Sequence, residues 1–272
     1  MIRIVVLAPI DNSLYARLVA FKLIQESDVQ LAGIVVRSQW NPKRFLSEFE
    51  RDGARLMQKV IDKWVKGDRR FVDISTENLA RLAERWRLPF KSLRKLAAEY
   101  NIPYQIVSDH NSPKSQAFIQ SISPDLIVFT GGGLIKPNLL ALPPLGILNC
   151  HSGILPAYRG MDVIEWTAAE GHMTDIGFGA SLHLMDRGVD TGPILFVDRI
   201  ALRKFKNFEE IRSSVEVKMV ELMLKGVRAI RDHNAAPMAQ KQDDGRQYYV
   251  MHPRMQEFAY QKLMRMSASF KS

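Results

Sequence analysis

The chain has 272 residues, 46% of them hydrophobic and 25% charged, which is enough to bury a sizeable core and too apolar for a disordered segment. No apolar run approaches the ~20 residues that span a bilayer, and the single cysteine excludes an internal disulfide and fits a reducing, cytoplasmic setting. A net charge of +9 favours an anionic partner but does not choose among carboxylates, phosphates, tRNA and lipid.

Ile2 to Ala8 reads as a strand of a parallel sheet covered on both faces. Asp11-Asn12-Ser13 then offers N-cap residues for a helix whose apolar face includes Leu14, Leu18, Phe21 and Ile24. Leu31 to Val36 is a second strand, and this βαβ opening argues for an α/β sheet with right-handed crossovers. No Gly-x-Gly-x-x-Gly follows the first strand, so a dinucleotide fingerprint is missing. Residues 40–98 read as a basic helical insertion in which Phe45, Phe49, Leu56, Val60 and Trp64 form one stripe among Trp40, Trp64 and Trp86. Packing on the sheet is its plain reading; a lid, a dimer contact or a membrane-surface helix are the others.

The α/β rhythm returns with a short strand at 103–107, a helix from Ser112-Pro113 to about Ser121 and a core strand at 125–130. Gly131-Gly132-Gly133 follows at the strand's carboxyl end, where it allows either close approach of a ligand or a tight turn. Leu145 to Cys150 is the next buried strand. Alternation puts Asn149 and His151 on one face and turns Cys150 away, as a small core residue. An amide N–H beside an imidazole suits a carbonyl that must become tetrahedral, because both can donate to the developing oxyanion. Asp190, on a later loop with Gly192, is the candidate third group, fixing the tautomer of His151 and favouring its protonated form.

Gly179 to Met185 is another strand, in which His183 reads as structural and Asp186 as a turn residue or a ligand contact. Asn207 caps a long helix to about His233, Gln242 to Gly245 is a turn, and 254–266 is a final basic helix. His110, His172, His233 and His252 lack ligand spacing, and no metal site is proposed.

Asn149 and His151, then Leu155 to Gly160, then Asp190-Thr191-Gly192-Pro193 together resemble the folate-dependent formyltransferases. The resemblance is clear over roughly 100–200, fainter over the first 37 residues and absent over about 40–98. It implies a Rossmann-like, mostly parallel twisted sheet flanked by helices. A catalytic domain would occupy 1–200, with the helical insertion at about 40–98, and a short C-terminal helical extension 201–272.

The implied reaction moves a formyl group from N10-formyltetrahydrofolate to a primary amine, with Asn149, His151 and Asp190 catalytic. By the same resemblance Gly132, Gly133, Leu134, Ile135, Met185, Asp186 and Val189 hold the folate, and Ser152, Tyr158, Arg159 and Met161 meet the acceptor. Arg159 either binds a phosphate or carboxylate or holds its turn together. The Arg159-Gly160-Met161 turn and the short C-terminal stretch point to an amino sugar on a nucleotide rather than to tRNA. A methionyl-tRNA formyltransferase-like enzyme with a reduced C-terminal domain, a formyltetrahydrofolate hydrolase and a non-catalytic folate-binding scaffold are the alternatives. A homodimer is compatible with all of them.

Overall fold

The computed structural model describes residues 1–38 and 77–270. The expected stripe from Phe45 to Trp64, with Trp40, lies outside the described residues. The apolar runs became strands: β1 (Ile2–Ala8), β2 (Val29–Arg37), β3 (Tyr104–Val107), β4 (Leu126–Phe129) and β5 (Ile147–His151). These five are mutually parallel in the order β3-β2-β1-β4-β5. β7 (Gly179–Leu184) then joins β5 antiparallel, and β8 (Ile194–Arg199) joins β7 antiparallel at the edge. The sheet is mostly parallel and Rossmann-like, and open sheets of this kind bind ligands at their carboxyl edge.

Helices cover both faces. α1 (Leu14–Gln25) starts at Ser13, whose hydroxyl accepts the Ala16 amide at 3.3 Å. α4 (Pro113–Ile122) and the short α5 (Pro137–Leu140) lie on the opposite face from α1 and the long α7 (Phe208–Arg231). Alternation along β1 feeds both layers. Ile4, Val6 and Ala8 pack with Leu18, Leu23, Val220 and Met223, while Val5 and Leu7 pack with Ile119, Ile122 and Leu139.

Within 77–98 the chain forms two short capped helices, α2 (Leu79–Arg85) and α3 (Leu93–Glu99). Leu82, Leu93 and Leu96 are fully buried, and Trp86 rests on the same core with the Lys22 ammonium 4.8 Å above its ring. This portion packs on the body of the protein.

Residues 201–270 are woven into that body as well. α7 lies across β5, β7 and β8, and α8 (Pro253–Ser269) packs on α6 (Val163–Glu170). The three-residue strands β6 (Tyr158–Gly160) and β9 (Arg246–Tyr248) pair in parallel. Gly160 permits that pairing: its φ is +96°, and a Cβ there would meet the Tyr248 carbonyl oxygen at 2.2 Å. Neither β6, β8 nor α6 is among the elements expected from the sequence. β8 is a half-buried edge strand, and three residues carry no readable period.

Candidate active site

β5 delivers Asn149 and His151 to the carboxyl edge, and its antiparallel neighbour β7 sets His183 opposite Asn149. The chain then returns through Asp190, which takes a left-handed φ of +54°. Four polar side chains meet there. Asp190 Oδ2 accepts the Gly160 amide at 2.9 Å and lies 3.3 Å from His151 Nδ1. Its Oδ1 lies 3.3 Å from His183 Nε2 and 3.5 Å from the Asn149 amide nitrogen. That amide nitrogen is also 3.1 Å from His183 Nε2, while His183 Nδ1 donates to the Leu184 carbonyl at 3.0 Å. His183 is therefore not an isolated strand histidine: its Nε2 lies between the Asn149 amide and the Asp190 carboxylate.

Electrostatics follow from burial. Burial raises the Asp190 pKa, but the His151 ring, the His183 hydrogen bond and the Gly160 amide outweigh it and bring the carboxyl to about 2. His151 is only 7% exposed, and burial lowers its pKa by more than Asp190 and the Tyr158 carbonyl raise it, with His183 adding to the fall. Asp190 thus favours the protonated ring, as expected, but burial outweighs it. Nε2 of His151 donates to the Tyr158 carbonyl at 2.9 Å, which leaves Nδ1 facing the carboxylate as the position for a mobile proton.

The glycine loop is braced from behind. Gly131, Gly132 and Gly133 all have positive φ, and a Cβ on Gly132 would collide with the His110 ring at 2.6 Å. Arg37 donates to the Gly132 carbonyl. Asn111 takes the Lys136 amide at 2.7 Å and donates to the Leu134 carbonyl at 2.9 Å. Leu134 is 71% exposed, Ile135 is buried, and Met185 packs into the same apolar cluster as Ile135. The two expected folate segments therefore meet over one apolar floor, with an exposed backbone edge at Gly133 and Leu134, which fits a flat ring bearing hydrogen-bonding edges. Asp186 is used in its turn, accepting the Gly188 amide at 3.0 Å and the Thr191 hydroxyl at 2.7 Å. Val189 is half-buried beside Asp190.

The expected acceptor residues separate. Arg159 is 4% exposed. Its guanidinium donates to Gln240 at 3.2 Å and to the Lys241 carbonyl at 2.9 Å, so the geometry favours the turn-holding role. Tyr158 is buried, stacks on Tyr248 and donates to Glu170 at 2.8 Å. Met161 is 49% exposed and does not line the cavity beside Asn149. Ser152 alone joins Asn149 on the wall of a cavity of about 330 Å³.

The same cavity is lined by Tyr15, Thr130, Gly131, Ile164, Arg212, Glu216 and Met219. Sequence reasoning missed Tyr15, Arg212 and Glu216. Their spacing was readable only in part: Arg212, Glu216 and Met219 fall at i, i+4 and i+7 on one stripe of α7, beside its buried face. Cys150, on the opposite side of β5 from Asn149, packs in the core, and burial pushes its thiol pKa far up, against a nucleophilic role.

A family described as Formyl transferase matches residues 54–227. The match begins inside the 40–98 stretch, ahead of the motifs that carry the resemblance. Methionyl-tRNA formyltransferase of Syntrophus aciditrophicus is 33% identical over 160 residues, covering 54% of this chain and 50% of that protein. The chain spans about half the length of the curated relatives it matches. Glycinamide ribonucleotide transformylase 1 of Symbiobacterium toebii superposes with a TM-score of 0.56 at 16% identity, covering 90% of this chain and 92% of that one. A sugar 3N-formyl transferase, solved in the presence of dTDP and 5-N-formyl-THF, superposes with a TM-score of 0.57 at 14% identity, covering 97% and 80%.

Proposed function

Since the chain belongs to the formyl transferase family, we propose that it moves a formyl group from N10-formyltetrahydrofolate to a primary amine. The observation that carries the reading is the meeting of Asn149, His151, His183 and Asp190 at one strand edge, beside a braced glycine loop whose Gly131 lines a cavity shared with Asn149.

The donor lies against Gly132, Gly133, Leu134 and Ile135, with Met185 and Val189 closing the other side. The amine enters from the cavity and its nitrogen bonds to the formyl carbon. The carbonyl electron pair moves to oxygen, where the Asn149 amide donates a hydrogen bond. One such donor is typically worth ~10²–10³ in rate. The proton lost from the amine passes to Nδ1 of His151, where the ionised Asp190 stabilises it. Collapse breaks the bond to N10, which takes the proton that His151 holds, and the products are a formamide and tetrahydrofolate. Alignment of two bound reactants contributes alongside the charges.

For the acceptor, we favour an amino sugar on a nucleotide. The Arg159-Gly160-Met161 turn supports it, and so does a cavity sized for a small molecule. A methionyl-tRNA acceptor is the second reading, favoured by the sequence relatives. Incubation with formyl-folate and a panel of amino-sugar nucleotides, scored by mass for one formyl group, tests the first. Formylated methionyl-tRNA beside inert sugars would replace it with the second. Formate release without any amine would identify a hydrolase.

A further inference from the structure

His151 and Asp190 are both held from one three-residue strand. On β6 the Tyr158 carbonyl stands 2.9 Å from His151 Nε2, and two residues on the Gly160 amide donates to Asp190 Oδ2 at 2.9 Å. A shift of β6 therefore moves both supports together. The contact they set is the 3.3 Å approach of His151 Nδ1 to Asp190 Oδ2, across which the mechanism stabilises a mobile proton.

β6 pairs with β9 over Tyr158 to Gly160, and a two-stranded pair of that length is marginal by itself. A side chain from outside both strands adds to it. Glu170, the last residue of α6, accepts the Tyr158 hydroxyl and the Tyr248 hydroxyl on one oxygen, Oε2, each at 2.8 Å. The two rings stack with centroids 5.0 Å apart. Tyr158 is 1% exposed, so little water can replace the carboxylate if it is removed. Burial and the Glu170 hydrogen bond push the Tyr248 hydroxyl up to about 12 and raise that of Tyr158 as well, so both remain donors. An acid is otherwise poorly placed at a helix C-terminus, where the macrodipole favours a cation. The two tyrosines offset that disadvantage, and Lys262 donates to the adjacent Ala169 carbonyl at 2.8 Å.

We propose that Glu170 is a positioning residue for formyl transfer: by joining Tyr158 to Tyr248 it fixes β6 against β9, and through the Tyr158 carbonyl and the Gly160 amide it sets the His151–Asp190 contact. The kinetic part of this inference rests on the proposed function; the contact itself can be followed without any substrate.

The test breaks the clamp in the whole protein from its two sides. Glu170→Ala removes the carboxylate. Tyr158→Phe combined with Tyr248→Phe removes both hydroxyls and keeps the charge and the ring stack. Each should lower kcat about tenfold and leave the KM of folate and of acceptor within about twofold, at a temperature where circular dichroism shows the variant folded. Glu170→Gln, whose amide oxygen still accepts, should recover most of the loss. Asp190 and the Tyr158 carbonyl both raise the His151 pKa against burial and His183. Loosening them should move the NMR titration of the His151 ring to lower pH, in Glu170→Ala and in the phenylalanine pair alike. A lower thermal midpoint with kcat and the His151 titration unchanged would make Glu170 a structural residue only and overturn the proposal. A shift in Glu170→Ala without one in the phenylalanine pair would trace to the lost charge and overturn it too. A wild type that formylates no amine overturns the proposed function; the His151 titration by itself then upholds or overturns the hold of Glu170 on the pair.

Discussion

The backbone amide of Gly160 donates to the Asp190 carboxylate at 2.9 Å. Gly160 closes β6, and β6 is held by β9, so a strand from the last tenth of the chain fixes one oxygen of the site's carboxylate. The other oxygen is left for His183 and Asn149.

Gly160→Ala should therefore act twice. The positive φ and the 2.2 Å approach to the Tyr248 carbonyl make the substitution destabilising by about 2 kcal/mol or more. Turnover should also fall by more than the loss of folded protein explains, because the amide that anchors Asp190 moves. Urea unfolding and activity at a temperature where the variant is fully folded separate the two effects.

Asn149→Ala, His151→Ala and Asp190→Ala should each cut turnover by about two orders of magnitude with the fold intact. His183→Ala should reduce it as well, by freeing the Asn149 amide to turn. Single-turnover rates with circular dichroism as a folding control decide this, and a fully active His151→Ala enzyme would remove the mechanism.

Arg159→Lys keeps the charge and loses the fork that spans Gln240 and the Lys241 carbonyl. A cost of about 2 kcal/mol is expected, read as a lower thermal midpoint. The KM values of both substrates should change together; a selective rise for the acceptor alone would restore the substrate-binding role.

His110 gives a pH dependence with a definite sign. Burial, aided by Arg37, lowers its pKa from the ordinary 6.5 to about 4. Between those values the unfolded chain binds the proton and the folded protein does not, so stability falls as pH drops from 6.5 towards 4. The loss from this residue is about 3 kcal/mol. His110→Asn should flatten that part of the stability profile, measured by urea unfolding at pH 7 and pH 4.5.

The five parallel strands are legible because each is predominantly apolar and bounded by turn residues, and alternation alone suffices to set Asn149 with His151 and Cys150 against the core. What the sequence hid are relations between distant elements. His183 looked structural because nothing local shows that β7 runs antiparallel beside β5. Arg159 stayed open because its partners lie some eighty residues onward. Tyr15 passed as one more helix residue, since a cavity is a property of three packed elements and of none of them singly. The direction of the His151 pKa was misjudged for a similar reason: its neighbour's charge was readable, and its depth was not.

The pairing of β6 with β9 also bears on how the protein is made. Residues 1–231 include every strand of the large sheet and all four side chains of the site, yet β9 begins only at Arg246. Closing so long a loop is entropically costly and comes late. During synthesis the sheet can therefore assemble while the Tyr158–Gly160 turn, which anchors one oxygen of Asp190, still lacks its partner strand.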